Sequence, residues 1–125
     1  MATPRLFRLA IPVDDIEAAV AFYGAAFGEP GERVWRNRHY FHCGEVVLAV
    51  VEPAEKDFRP PSEPRILYFA VDDLPAAHSR VRAAGPGRID EEITEQPWGE
   101  RSFYVEDPFG TRLCFVDATS TYTGT

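Results

Sequence analysis

The sequence predicts an α+β fold in which one unit of a strand, a helix and further strands occurs twice. The motif Val13-Asp14-Asp15-Ile16 recurs 58 positions later as Val71-Asp72-Asp73-Leu74. An apolar, strand-like segment precedes each copy of the motif, and an alanine-rich segment with helical periodicity follows it. Because one helix covers only one face of a sheet, the other face of each unit must contact the second unit, a second chain or a ligand.

In the first unit, residues 6–13 are predicted to form a strand that leads into a helix. The pair Asp14-Asp15 supplies the cap at the start of that helix, and Gly28 ends it in the left-handed conformation that glycine tolerates. A hairpin within residues 33–51 then turns at Gly44. The helix presents one apolar face, which consists of Ile16, Ala19, Val20, Tyr23 and Phe27.

The second unit repeats this order. Residues 66–71 are predicted to form a strand, Pro75 lies in the first turn of the helix, and Gly85-Pro86-Gly87 ends that helix. Residues 101–116 form a hairpin whose turn, Asp107-Pro108-Phe109-Gly110, has the residue preferences of a type I turn. The apolar stripe of this helix consists of Leu74, Ala77, Val81 and Ala84.

We therefore expect a single domain with four parts. Module 1 spans about residues 5–52, and module 2 spans about residues 65–117 with a further short strand within 87–93. The charged, proline-rich residues 53–64 form the linker, and residues 118–125 form a flexible tail.

Composition and charge exclude some classes of partner. The chain of 125 residues has a formal net charge of −7 and a pI near 4.9, so it is not suited to neutralise phosphates. We expect neither nucleic acid nor an anionic membrane surface as a partner. The negative field favours a cationic ligand, although net charge also simply keeps a protein soluble.

The cysteine count and the N-terminus predict a cytoplasmic protein. Two cysteines, Cys43 and Cys114, do not make a disulfide scaffold. Residues 1–5 lack the apolar core of a signal peptide, and no apolar run approaches the ~20 residues of a membrane span.

Three motifs in order resemble the vicinal oxygen chelate superfamily, the glyoxalase, bleomycin-resistance and dioxygenase group, across about residues 5–117. They are the segment 10–16 with Ala21-Phe22-Tyr23, the segment 69–74, and Pro97-Trp98-Gly99 followed by residues 101–104 and Asp107-Pro108-Phe109-Gly110. The resemblance implies two tandem βαβββ modules that form a curved mixed sheet with a cleft, with the helices on the outer face.

The resemblance also implies four metal-ligand positions, which hold Arg8, Ala49, Ile66 and Cys114 in this chain. Arg8 remains charged and has no acceptor atom, whereas Ala49 and Ile66 have no donor atom at all. Cys114 alone does not make a zinc or iron site. We therefore expect no metal and no cofactor, and a non-metal member that resembles the bleomycin-resistance proteins.

Strand alternation, combined with the resemblance, predicts which side chains line the cleft. His39 and His42 are three residues apart on one strand, so they point to opposite faces. Trp98 lies in a segment similar to one that bleomycin-resistance proteins use to stack on a flat ligand. The expected ligand-binding residues are Arg8, Tyr40, His42, Tyr68, Trp98, Ser102, Tyr104 and Cys114.

Structural roles compete with these assignments. Tyr68 and Tyr104 are as well suited to packing as to ligand contact. A guanidinium at the buried strand position of Arg8 needs an anionic or carbonyl partner, for which we favour Glu45 or Glu106 over a ligand carboxylate. Cys114 is expected to be a buried, inert thiol rather than a nucleophile.

Three functions follow as hypotheses. The first is metal-independent binding or sequestration of a small, drug-like, aromatic or cationic molecule, as in antibiotic resistance. The second is a lyase, isomerase or dioxygenase, either metal-free or with atypical ligands, and the third is a regulatory module without a ligand. In each case we expect a homodimer, because two-fold dimers are the commonest oligomers and members of this superfamily close the cleft with a partner's sheet.

Overall fold

The structure, a computed structural model, describes residues 7–53 and 66–122. These residues form nine strands, two α-helices and one short 3₁₀ helix, Ala118–Ser120. The first module contains β1 (Arg8–Pro12), α1 (Ile16–Phe27), β2 (Glu32–Trp35), β3 (Arg38–Cys43) and β4 (Val46–Val51). The second contains β5 (Ile66–Val71), α2 (Leu74–Ala83), β6 (Arg88–Ile89), β7 (Thr94–Glu95), β8 (Arg101–Glu106) and β9 (Arg112–Asp117).

The two copies of the repeated motif start the two helices in the same way. The Asp15 carboxylate accepts a hydrogen bond from the Ala18 N–H at 3.1 Å, and the Asp73 carboxylate accepts one from the Ala76 N–H at 3.0 Å. Gly28 ends α1 with φ 70°, as predicted. No helix in the described part of the chain is long and apolar enough to span a lipid bilayer.

The α+β class and the two tandem modules are confirmed, but the strands make two hydrogen-bonded sheets instead of one. Sheet one has the order β1-β4-β3-β2, and sheet two has the order β5-β9-β8-β6, with β7 also paired to β8. The first strand of each module runs parallel to the last strand, and the remaining pairs are antiparallel. Thus β1 and β5 are each an edge strand of their own sheet.

The short strands β6 and β7 together take the place that β2 has in module 1. Between them the chain leaves the sheet, and the Asp90 carboxylate accepts a hydrogen bond from the Tyr104 N–H at 2.9 Å. The Asp90 N–H donates in turn to the Tyr104 carbonyl at 2.9 Å. These two hydrogen bonds give partners to the N–H and C=O groups of Tyr104, at the point where the pairing of β8 with its neighbouring strand is interrupted.

Both modules contribute to one hydrophobic core, because both helices pack on the same side of their sheets and contact each other. Phe27 on α1 lies 5.2 Å from Phe69 on β5, measured between ring centroids, so the aromatic cluster crosses from module 1 to module 2. The predicted apolar face of α1 is correct for Ile16, Ala19 and Tyr23. Val20 and Phe27 are only partly buried, and Phe22 is buried in addition.

A buried hydrogen bond also joins the modules. The Tyr23 hydroxyl on α1 donates to the Asp107 carboxylate at 2.7 Å, although the two residues are 84 positions apart. The other oxygen of Asp107 accepts from the N–H groups of Phe109 and Thr111, both at 2.8 Å, within the predicted turn between β8 and β9. Burial, then the charge of Asp107 and this hydrogen bond, raise the pKa of Tyr23 well above 10.0.

The last part of the described chain has defined partners. Asp117 caps the 3₁₀ helix, and the Ser120 hydroxyl accepts from the Arg101 N–H at 3.1 Å. The N–H of Tyr122 donates to Glu100 at 2.8 Å. The segment 118–122, which we expected to belong to a flexible tail, is therefore attached to the start of β8. Apart from residue 53, the expected linker lies outside the described residues, as do residues 123–125.

We predict that Tyr23→Phe lowers the free energy of unfolding by about 1–3 kcal/mol, because one oxygen of the buried Asp107 loses its donor. Urea unfolding followed by circular dichroism measures this as a lower midpoint at unchanged slope. Tyr122→Phe removes the same atom from a side chain that is 57% exposed, so it should change stability by less than about 0.5 kcal/mol. Equal effects of the two variants would contradict a special role for Tyr23.

The difference in stability between wild type and Tyr23→Phe is also predicted to depend on pH. The raised pKa of Tyr23 means that its contribution to stability is complete below pH 10 and is lost as the pH rises above 10. The stability difference between wild type and Tyr23→Phe should therefore shrink above pH 10. A difference that stays constant up to pH 11 would be inconsistent with this assignment.

Candidate functional site

Each sheet has one face against the helices and one face without a helix, which we call the helix-free face. On β1, Leu9 and Ile11 pack into the core, so Arg8 and Ala10 belong to the helix-free face. The same alternation holds in sheet two, where Phe103 and Phe115 enter the core. The predicted site residues on the helix-free faces are Arg8, Tyr40 and His42 in sheet one and Tyr68, Ser102, Tyr104 and Cys114 in sheet two.

A row of three side chains crosses the helix-free face of sheet two. Cys114 on β9 lies opposite Tyr68 on one side and Tyr104 on the other. The small Cys114 side chain is buried, whereas Tyr68 is 56% exposed and Tyr104 is half-buried. The two phenol groups therefore project on either side of the smaller, buried thiol and leave a shallow groove between them. Such a groove suits the edge of a flat molecule.

The surroundings of Tyr104 and Cys114 keep both side chains neutral near pH 7. Burial, followed by hydrogen bonding to Tyr68, raises the pKa of Tyr104 well above 10.0. Burial likewise raises the pKa of the Cys114 thiol above 9.0, an effect that hydrogen bonds with Ser102 and Tyr104 oppose and the charges of Glu100 and Asp90 reinforce. Cys114 is thus a thiol rather than a thiolate, and a thiol is a weak nucleophile.

Trp98 is held at the start of β8 by a carboxylate that the sequence analysis missed. The Trp98 indole N–H donates to one oxygen of Glu100 at 2.7 Å, and the backbone N–H of Tyr122 donates to the other at 2.8 Å. These two hydrogen bonds lower the pKa of Glu100. Gln96 continues the cluster, since its amide donates to the Ser102 hydroxyl at 3.2 Å. Trp98 keeps 48% of its surface exposed.

In sheet one the contacts of Arg8 differ from the prediction. Arg8 is exposed, not buried, and its guanidinium donates to the Tyr40 hydroxyl at 3.3 Å. It also lies 5.1 Å from the centroid of the Phe7 ring. Within residues 7–53 and 66–122, neither Glu45 nor Glu106 forms the expected ion pair with it. Strand alternation predicted the face on which Arg8 lies. It did not predict the exposure of Arg8, because exposure depends on what covers that face in the folded chain.

The two histidines of β3 lie on opposite faces, as predicted. His42 is exposed on the helix-free face. His39 is buried on the core side, where its Nε2 atom lies 2.8 Å from the Pro30 carbonyl oxygen. Because His42 belongs to sheet one and Cys114 to sheet two, the structure does not pair them as base and nucleophile.

The four positions that hold metal ligands in the superfamily's metal enzymes do not fit an ion in this chain. Arg8, Ala49, Ile66 and Cys114 all belong to the helix-free faces, yet Cys114 alone among them carries a donor atom for a metal. Among the described residues, no three or more histidine, cysteine or acidic side chains are grouped closely enough to hold a metal ion.

The predicted site residues are not gathered in a single cavity. One cavity of about 590 Å³ lies between β5 and the strands β1 and β4, and Tyr68 is the predicted site residue in its lining. A second cavity of about 360 Å³ lies beside Tyr104, where Asp90 and Arg112 also line it. The two sheets are separate, so the residues of sheet one and sheet two form two groups.

Sequence comparison decides the family. The model of the Glyoxalase/Bleomycin resistance protein/Dioxygenase superfamily matches residues 5–115. This chain belongs to that superfamily. The YwbC protein of Bacillus subtilis (strain 168) is 26% identical over 122 residues, which cover 89% of this chain and 95% of YwbC. The superfamily membership that the three motifs predicted is therefore confirmed.

Solved structures of superfamily members share the fold. A glyoxalase/bleomycin resistance protein from Albidiferax ferrireducens T118 superposes with a TM-score of 0.75 at 20% identity, over 90% of this chain and 98% of that one. Lactoylglutathione lyase from Agrobacterium tumefaciens superposes with a TM-score of 0.67 at 24% identity, over 94% of this chain and 96% of that one. At these identities the similarity concerns the fold, because one fold carries many functions.

We predict that Cys114 is protected from thiol reagents in the native protein. In a Cys43→Ala variant, the remaining Cys114 should react with Ellman's reagent at least about 100-fold more slowly than in urea-unfolded protein, because it is buried and protonated. The reciprocal Cys114→Ala variant leaves the partly exposed Cys43, which should react faster. Rapid stoichiometric labelling of Cys114 would contradict the buried, inert thiol.

Proposed function

We propose that this protein binds a small organic molecule without a metal ion, at the helix-free face of sheet two. The observation that carries the proposal is the row of Tyr68, Cys114 and Tyr104, in which two phenol groups flank a buried thiol. Ser102 is buried at the same face, and Gln96, whose amide donates to the Ser102 hydroxyl, adds a partly exposed polar group. Trp98, oriented by Glu100, supplies an exposed aromatic ring at the start of β8. Such a mostly apolar surface with a few placed polar groups suits an organic ligand.

The chemistry of the site supports binding more than catalysis. Burial keeps Cys114 protonated, and the metal-ligand positions hold one donor side chain among four. The name of the Albidiferax ferrireducens neighbour mentions bleomycin resistance. Sequestration of an antibiotic is one route to resistance that requires no reactive group in the binding protein. The competing function is a lyase, isomerase or dioxygenase reaction with atypical ligands. Stoichiometric zinc, iron, manganese or nickel in protein purified without chelators would favour that function instead.

Tryptophan fluorescence tests the proposed site, because the chain has two tryptophans and Trp98 alone is placed in it. Titration with bleomycin, mitomycin C and naphthalene-2-carboxamide should quench the emission for at least one of these planar compounds. Trp98→Phe should abolish the response, and Trp35→Phe should preserve it. Tyr104→Ala should weaken binding about tenfold or more, which corresponds to ~1.4 kcal/mol.

Two results would overturn this proposal. One is that none of the compounds changes the fluorescence or produces heat in calorimetry. The other is that Trp35→Phe, at a residue 67% exposed on the edge strand β2, removes the response and Trp98→Phe does not. The first result rejects the ligand class, and the second rejects the location.

We also propose that the protein is a homodimer in which a second copy covers the edge of β5. All six residues of β5 line the cavity of about 590 Å³, together with apolar residues of module 1 such as Leu9 and Leu48. An edge strand presents unpaired N–H and C=O groups, so it is a natural place for another chain to bind. Light scattering should give twice the chain mass of 14.0 kDa. A monomer at about 100 μM would contradict the proposal.

A further inference from the structure

We infer that the ligand is an aromatic molecule with a zwitterionic headgroup, as in an aromatic amino acid, and that this headgroup binds in the cavity of about 360 Å³ beside Tyr104. The inference rests on the proposed function, because it extends the same site on sheet two and names the chemical class of its ligand. None of the charged side chains in this cavity was among the ligand-binding residues expected from the sequence.

The register of sheet two places a charged row next to the row of Tyr68, Cys114 and Tyr104. Arg112 on β9 lies opposite Glu106 on β8, and Glu106 lies opposite Arg88 on β6. Arg112 is two residues before Cys114 and Glu106 is two residues after Tyr104, so the charged row belongs to the helix-free face. Two residues of a strand span ~7 Å. A single small molecule can therefore reach both rows.

The cavity brings charges of both signs together around one space. Its lining includes Tyr104 and four charged side chains, which are Arg88, Asp90, Glu106 and Arg112. Two guanidinium groups and two carboxylates give the cavity no net charge. A ligand group of one sign is attracted by one half of this set and repelled by the other half. A zwitterion instead finds an opposite charge for each of its own, with the guanidinium groups suited to its carboxylate.

Asp90 is held in position by its backbone and side chain. Its carboxylate accepts from the Tyr104 N–H at 2.9 Å, and its own N–H donates to the Tyr104 carbonyl at 2.9 Å. The Asp90 carbonyl oxygen also lies 2.7 Å from the Nε2 atom of His78 on α2. In the part of the chain that the structure describes, the second carboxylate oxygen of Asp90 accepts no hydrogen bond. A fixed acceptor loses little freedom when it binds an ammonium group, which favours binding.

The charged row is not neutralised by its own cross-strand pairs. Within residues 7–53 and 66–122, Glu106 forms no ion pair with either arginine that lies opposite it. At the other end of the same two strands, Arg101 and Asp117 do pair with each other. The charges that line the cavity therefore remain available to a ligand.

The polarity of the helix-free face sets the orientation of the ligand. On the other side of the aromatic row, Ala70, Val116 and Ser102 form an uncharged row, and Trp98 lies beyond it at the start of β8. The aromatic part of the ligand thus lies toward Trp98 and the headgroup toward Arg112. A cavity of about 360 Å³ is near the lower limit for a site that encloses a whole ligand, so it suits the headgroup while the ring extends over the aromatic row.

Calorimetry with three matched probes tests the inference. The probes are the 2-naphthyl derivatives of alanine, ethylamine and propanoate, which share one ring system and carry both charges, the positive charge only and the negative charge only. The alanine derivative should bind at least about fivefold more tightly than either of the others. The factor is modest because Arg88 and Arg112 are exposed, and water weakens ionic contacts at exposed positions.

Two variants should have opposite effects on the singly charged probes. Arg112→Gln should weaken binding of the alanine and propanoate derivatives about fivefold without weakening that of the ethylamine derivative. Glu106→Gln should weaken binding of the alanine and ethylamine derivatives about fivefold without weakening that of the propanoate derivative. The matched controls are Arg36→Gln and Glu45→Gln, at exposed positions in the turns of sheet one, and both should match wild type.

The outcomes distinguish this inference from the proposed function. Equal affinity for the three probes, unchanged in Arg112→Gln and Glu106→Gln, would overturn the headgroup site and leave the proposed function intact. So would lower urea midpoints in these two variants with no change in binding, because the charges would then serve the sheet alone. If none of the probes binds but a compound of the fluorescence titration does, the headgroup site is again overturned. If neither set binds, both proposals are overturned.

Discussion

The hydrogen bond between Tyr23 and Asp107 constrains how the two modules pack against each other. It joins the helix of module 1 to the hairpin turn of module 2, and both groups are buried. A buried carboxylate is tolerated only when its oxygens have donors, and Asp107 has three, two from its own turn and one from Tyr23. The turn can therefore be buried against α1 only if α1 brings Tyr23 to it.

This arrangement places both helices on one side of the molecule and leaves the opposite faces of the sheets without helices. The aromatic cluster that includes Phe27 and Phe69 fills the space between the modules, and most of their large apolar side chains are packed in this core. The helix-free faces then carry the polar and partly exposed groups, with Tyr68 and Tyr104 in sheet two and Arg8 and Tyr40 in sheet one. The proposed ligand site is thus a consequence of where the core lies.

Much of the fold was predictable, because its signals are local. The caps at Asp15 and Asp73, the stop at Gly28 and the turn that contains Asp107 follow from the preferences of short segments. The faces of Tyr68 and Cys114 follow from strand alternation combined with the resemblance to the superfamily. The candidate site was less predictable. Glu100 carried no local signal, since its significance lies in the hydrogen bonds that it accepts from Trp98 and Tyr122 in the folded chain.

By itself, the sequence determined the two modules, the ends of the helices and the face on which each strand residue lies. These properties depend on residues within one turn or one strand of each other. The tertiary structure alone decided that the strands form two sheets, that Arg8 is exposed beside Tyr40, and that residues 118–122 contact the start of β8. Those features depend on contacts between residues far apart in the chain, whose energies no local pattern encodes.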